Sequence, residues 1–167
     1  RLAASKAYIS KTTDDGDVLS AISTDDTVNT WRKLYGGDMV TYLRPLNWLD
    51  ENCGVGWVVG SNGTSFSSAN VEGGSFNVTN IGSDQGYFCA HDTLAHELGH
   101  NFGAAHNRTA SVGLEPYYPY AYGAGIDDVF GTIMSYQSPD VPVFSSPSGQ
   151  ACNGYFCGIP NSVDVVR

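Results

Sequence analysis

His96-Glu97-Leu98-Gly99-His100-Asn101-Phe102-Gly103-Ala104-Ala105-His106 puts three imidazoles and one carboxylate within reach of a single metal ion. On a helix, His96 and His100 lie one turn apart on the same face, so both rings can meet one zinc at about 2.0–2.1 Å. Glu97 projects from the flank of that face, too far round for a natural third ligand but placed to hold the metal's water and take its proton. Gly103 enters the left-handed region cheaply, so it can end the helix and turn the chain to bring His106 in from another direction. Three neutral nitrogen ligands leave a fourth position open for water, the arrangement of a catalytic zinc site rather than a structural one.

The rest of the chain sets bounds on that reading. Its 167 residues suit one domain with a core of its own, so residues 1–167 are expected to form a single catalytic domain. Within it, 1–103 should carry the sheet and zinc helix, and 104–167 a second subdomain. Hydrophobic residues make up 41%, yet no run approaches the roughly 18 apolar residues of a membrane span. The N-terminal Arg1-Leu2-Ala3-Ala4-Ser5-Lys6 lacks the apolar core of a signal peptide, so a secreted protein would appear here in processed form. A net charge of −9, from 8 Lys and Arg against 17 Asp and Glu, argues against nucleic acid as a partner and favours solubility and a monomer.

The four cysteines, Cys53, Cys89, Cys152 and Cys157, form no CxxC and are not needed as zinc ligands. An even count suggests two disulfides and an oxidising, extracellular compartment. Three connectivities are open. The favoured one joins Cys152 to Cys157 across a short Gly-containing loop and Cys53 to Cys89, tying a strand to the entry of the zinc helix.

In chain order, Leu2–Ser10 alternates loosely and reads as a strand, followed by the turn-forming run Thr13-Asp14-Asp15-Gly16-Asp17. Its aspartates raise Ca²⁺, but the spacing is not that of an EF-hand loop and a solvated turn is preferred. Asp25–Tyr35 has acids first and bases last, with Val28, Trp31, Leu34 and Tyr35 at helical spacing, and Gly36-Gly37 to end it; the stripe should be core. Asp38–Leu43 reads as a buried strand, Cys53–Gly60 as an extended segment, Gly60–Gly74 as a surface loop, and Ser75–Ile81 as a short strand. That last strand is the candidate edge for pairing with an extended peptide. The zinc helix should start at Asp92 and bury Leu94, Leu98 and Phe102 against the sheet, leaving His91 outside the motif.

The extended pattern HExxHxxGxxH resembles the signature of the metzincin metallopeptidases. Gly131-Thr132-Ile133-Met134-Ser135-Tyr136 resembles their Met-turn, which places a methionine beneath the zinc-binding rings. Leu94–Gly103, Cys53-Gly54-Val55-Gly56 and Phe144-Ser145-Ser146-Pro147 look most like the reprolysin-like (adamalysin-related) branch and its bacterial relatives. The resemblance implies an α+β zincin-like fold: a twisted mixed sheet, an active-site helix and an irregular C-terminal subdomain. Reprolysin-like domains usually begin with a strand and a long helix before the segment that Leu2–Ser10 resembles. Without that pair, either an upstream segment (a propeptide or cleaved N-terminal piece) has been removed or this is a shortened variant. Two features depart from the reprolysin pattern. Asn107 stands where Asp usually follows the third histidine, and Tyr136 stands where astacins and serralysins place a switchable extra ligand. Tyr136 is therefore read as a resting ligand, an oxyanion stabiliser or a packing residue of the turn.

The expected function is a secreted zinc endopeptidase acting on protein or peptide substrates. One Zn²⁺ on His96, His100 and His106 would acidify water and polarise the carbonyl, with Glu97 as general base. A zinc-stabilised binding or adhesion module that has lost turnover is the alternative, against which Glu97 speaks. A hydrolase of non-peptide bonds is weaker, since the Met-turn resemblance is to peptidases. Asn-X-Thr occurs at Asn62, Asn77 and Asn107.

Overall fold

Two aspartates start the first two helices of the chain, whose computed structural model describes residues 2–50, 52–148 and 151–158. The Asp14 side chain accepts from Asp17 N–H at 2.9 Å and opens α1 (Asp15–Thr24). Asp25 accepts from Thr27 and Val28 N–H at 2.8 and 3.0 Å and opens α2 (Asp26–Tyr35). Each side chain satisfies donors that a helix start leaves unpaired. Gly36, at φ +63°, closes α2 in the left-handed conformation. There follow β1 (Val40–Pro45), β2 (Gly54–Gly56), a 3₁₀ turn at Ser61–Gly63, α3 (Ser68–Gly74), β3 (Phe76–Ile81), β4 (Ser83–Asp84), β5 (Tyr87–Phe88) and α4 (Thr93–Asn101). After α4 the named strands among the described residues form two-residue ladders: β6 (Gly125–Ile126) with β7 (Phe130–Gly131), and β8 (Ala151–Cys152) with β9 (Tyr155–Phe156). The architecture is mixed α+β, and among the described residues no helix is long and apolar enough to cross a membrane.

The chain divides into two compact units, Arg1–Trp57 with Val71–Asn101 and Val58–Asn70 with Phe102–Arg167. In the first, a mixed sheet has the order β1-β3-β2, with β1 parallel and β2 antiparallel to β3. Strand alternation then sorts its side chains. Phe76 and Val78 share one face with Val40, Tyr42 and Val55, and pack there on Val18, Leu19 and Ile22 of α1 and Val28 of α2. Arg44 and Asn80 extend that face: Arg44 Nη2 lies 2.8 Å from Asp15 Oδ1, and Asn80 Nδ2 donates to Asp15 Oδ2 at 2.9 Å. The opposite face carries Gly54, Gly56, Asn77 and Thr79, small or polar residues, and receives α4.

The second unit is held by short clamps in place of long ladders. Asn62 N–H donates to Glu115 O at 3.0 Å while Glu115 N–H donates to Asn62 Oδ1 at 2.8 Å. Phe130, Cys152 and Cys157 form a small core with Val129, Val141 and Val143 packed around it. Disulfides join Cys53 to Cys89 in the first unit and Cys152 to Cys157 in the second, the favoured connectivity of the three.

Several expectations are corrected. Leu2–Ser10 forms no strand; Leu2 and Ile9 are 81% and 90% exposed, and the segment is anchored through Tyr8, which meets Tyr42 edge-on and donates to Asp25. The Thr13–Asp17 run is the start of α1 and no solvated turn, because Asp15 is buried on Arg44 and Asn80. The α2 stripe is not core beyond Val28: Leu34 and Tyr35 are exposed, since the sheet core is already filled by α1. β1 is half-buried at the sheet edge, and the Gly60–Gly74 stretch contains α3. β3 is the central strand, paired on both sides, so it offers no edge to a peptide. Leu94 and Phe102 are exposed and Leu98 is half-buried, because the face that α4 meets has no apolar surface to bury them.

Candidate metal centre

The residues His96–His106 form one local assembly of helix end, turn and strap. His96 and His100 sit on the same side of α4, their ring centroids 4.9 Å apart and nearly perpendicular at 86°. His100 is buried and His96 half-buried. Gly103, at φ +82°, turns the chain after the helix, and a Cβ there would lie 2.8 Å from Val59 O and 3.0 Å from Tyr117 Cβ. Both conformation and space thus require glycine. Beyond the turn Ala105 is held on both backbone groups: its N–H donates to Ala121 O at 2.9 Å, and its carbonyl accepts from Gly123 N–H at 3.1 Å. That strap fixes the residue before His106. One ligand atom from each of His96, His100 and His106 lies within 4.8 Å of the others, and among the described residues this is the cluster able to hold a metal ion.

Glu97 lies on the sheet side of α4, 4% exposed. Two glycines make room for it. A Cβ on Gly54 would stand 2.7 Å from Glu97 Oε1, and one on Gly56 would stand 2.9 Å from Glu97 O and 3.2 Å from Oε2. Because Gly54 and Gly56 are two apart on β2, they present the same bare face. Glu97 Oε2 is buried without a hydrogen-bond partner among the described residues. A buried carboxylate oxygen of this kind normally faces a cation or a donor. Three imidazole nitrogens within 4.8 Å of one another fit a zinc-type ion, which takes neutral nitrogen ligands and a water. His91, the fourth histidine, is exposed.

Burial pushes the Glu97 carboxyl up to about 8, with the Asp15 carboxylate adding to the shift. In the metal-free protein the folded state therefore holds this proton more tightly than the unfolded state. Stability from this group is fully present below the unfolded value near 4.5 and is lost as pH rises through about 8. Metal-free wild type is expected to lose stability between pH 5 and pH 8 relative to Glu97→Gln, by on the order of a few kcal/mol. Parallel denaturant melts at the two pH values check this; equal pH slopes for both proteins would contradict it.

The expected Met-turn is a tight turn, with Ser135 N–H donating to Thr132 O at 2.7 Å and Met134 fully buried. Asn107 is buried; its Oδ1 accepts from Tyr136 N–H at 3.1 Å and its Nδ2 donates to Thr109 Oγ1 at 2.7 Å. The residue after the third histidine is thereby tied to the residue that follows the turn. Tyr136, 66% exposed, stands with its hydroxyl 2.8 Å from His106 Nε2 and its ring 4.2 Å from the imidazole. Ser145, within the Phe144–Pro147 run, is buried and donates to Tyr122 O at 2.7 Å. Of the three Asn-X-Thr sequences, Asn77 and Asn107 are buried in hydrogen bonds, and Asn62 is exposed.

Sequence reasoning did not single out Asn101, Gly123 or the paired bare face of Gly54 and Gly56. The Gly-x-Gly spacing at 54–56 was the available signal, since alternation puts both on one side of a strand.

A family model described as Metallo-peptidase family M12B Reprolysin-like matches residues 5–163. The peptidyl-Asp metalloendopeptidase of Pseudomonas aeruginosa is 25% identical over 172 residues, which span 91% of this chain and 28% of that protein. The chain thus covers less than a third of that relative's length. A solved structure of a chaperone-substrate complex aligns at TM-score 0.65 and 22% identity over 94% of this chain and 23% of that one. At that identity the likeness is one of fold.

Proposed function

This chain belongs to the M12B reprolysin-like metallopeptidase family, and from that premise we propose that residues 1–167 act as the catalytic domain of a secreted zinc endopeptidase of the metzincin type. The observation that carries the reading is the meeting of His96, His100 and His106 ligand atoms within 4.8 Å. These three side chains would hold the ion, which when bound supplies acidified water and a polarised scissile carbonyl. Glu97, buried beside them with one unpartnered oxygen, takes the water's proton and returns it to the leaving amine. Tyr136, whose hydroxyl lies 2.8 Å from His106 Nε2, would serve as the oxyanion donor or as a further ligand. Met134 and Gly103 support the ligands, the first as a buried turn residue and the second by redirecting the chain.

An extended peptide needs an outer strand to pair with, and next to Glu97 that strand is β2. Two disulfides suit an extracellular setting. Asp-containing peptides are the first substrates to try, because the curated relative is a peptidyl-Asp metalloendopeptidase. Hydrolysis of such peptides is expected to vanish with a chelator and return with stoichiometric zinc. Undiminished hydrolysis by protein verified to be metal-free would overturn the proposal.

A further inference from the structure

Asn101, the last residue of α4, follows His100 directly and is 2% exposed. Its side chain reaches across to the sheet and is fully engaged. Oδ1 accepts from Asn77 Nδ2 at 2.8 Å. Nδ2 faces three carbonyls: Phe76 at 2.9 Å, Trp57 at 3.1 Å and Gly74 at 3.2 Å. One amide therefore joins the end of the metal helix to the end of β2, the start of β3 and the end of α3.

We infer that Asn101 is a positioning residue for the metal ligands: it fixes where α4 sits along the sheet. The argument begins with what else could do so. The sheet face under α4 is Gly54, Gly56, Asn77 and Thr79, which offers no large side chains to interlock with the helix. Apolar burial is non-directional and would not set a register even if it were present. An amide with one acceptor contact and three donor contacts does, because sliding the helix by one residue, about 1.5 Å, breaks all of them. Such a buried amide is costly unless satisfied, so a wrong register is strongly disfavoured.

The register matters because everything chemical on α4 is counted back from Asn101. His100 is its neighbour, Glu97 lies one turn back on the same face, and His96 is one residue further. Glu97 fits over β2 only where the two glycines leave room, with a hypothetical Gly54 Cβ already at 2.7 Å. A shift of the helix end would move the His96–His100 pair and drive the carboxylate toward β2 together.

This assignment rests on the zinc reading of the three histidines, and the test separates the two. Zinc affinity is measured by chelator competition, and ligand geometry by the visible spectrum of the Co²⁺-loaded protein, both at a temperature where each variant is folded. Asn101→Asp keeps the size and the acceptor toward Asn77 but turns the donors into an acceptor facing three carbonyls. It is expected to weaken zinc binding about tenfold or more and to change the Co²⁺ bands. Val18→Ala, in the α1 core, lowers stability and should leave affinity within about twofold and the bands unchanged. Wild-type affinity and spectrum in Asn101→Asp, or equal changes in Val18→Ala, would overturn the positioning role. If Asn101→Asp does not fold, Asn77→Ala decides, since it removes one contact of the amide: altered bands with weaker zinc support the role, and wild-type behaviour overturns it. A wild-type protein that binds neither metal would instead sink the zinc reading itself.

Discussion

Glu97→Gln is expected to keep one equivalent of zinc and to lose peptide hydrolysis by about 10²–10⁴-fold, the usual contribution of a general base. The substitution is nearly isosteric, so the fit over Gly54 and Gly56 is preserved. What changes is the ability to accept and return a proton. An amide also carries no charge to bury, so Glu97→Gln should fold at least as well as wild type at neutral pH, which removes misfolding as a cause of lost activity. The measurement is kcat/KM on a fluorogenic peptide beside zinc content by atomic spectroscopy. Loss of zinc along with activity would mean that Glu97 serves the ligands rather than the chemistry. Retained activity would mean that the carboxylate merely fills the space that the glycines leave.

The clustering of the three histidines was legible in the sequence because its determinants are local. Histidines one helical turn apart share a face in any helix, and Gly103 signals a left-handed turn by its type alone. The same holds for Asp25 and Gly36 as the ends of α2. What failed depended on contacts distant in sequence. Asp15 looks like a turn residue until Arg44 and Asn80, from two different strands, are known to bury it. The Leu94, Leu98 and Phe102 spacing promised a buried stripe, but a stripe is buried only if the facing sheet is apolar, and strand alternation had put glycines, Asn77 and Thr79 there. β3 looked like an edge because its two partners, β1 and β2, come from earlier segments whose pairing order a sequence does not display. The family resemblance, by contrast, rested on short motifs and is matched by the M12B model over residues 5–163.

The second large effect is expected at Gly123 and Gly131, which pack against the backbone around Met134. A Cβ on Gly123 would stand 2.3 Å from both C and O of Met134 and 2.6 Å from Ser135 N; one on Gly131 would stand 1.6 Å from Gln137 O. All of these are backbone atoms, so no rotamer change can clear them. The chain on either side is already tied: Thr132 N–H donates to Ala124 O, Ala124 N–H donates to Thr132 Oγ1, and Val141 N–H donates to Gly131 O. Gly123→Ala or Gly131→Ala must then displace the Met134 turn or break its clamps, at roughly 3 kcal/mol, the upper range for overpacking. For a chain of this size that is a fall in Tm of about 6–12 °C. Gly73→Ala is the control, since nothing lies within 4 Å of its Cβ position and it sits in α3; it should hold or slightly raise Tm. Gly123 also donates to Ala105 O, beside His106, so Gly123→Ala should weaken zinc binding as well as stability. Calorimetry with and without zinc measures both. A Gly123→Ala protein that melts within a degree of wild type would show that the turn yields freely, and that its close packing does not hold the third histidine.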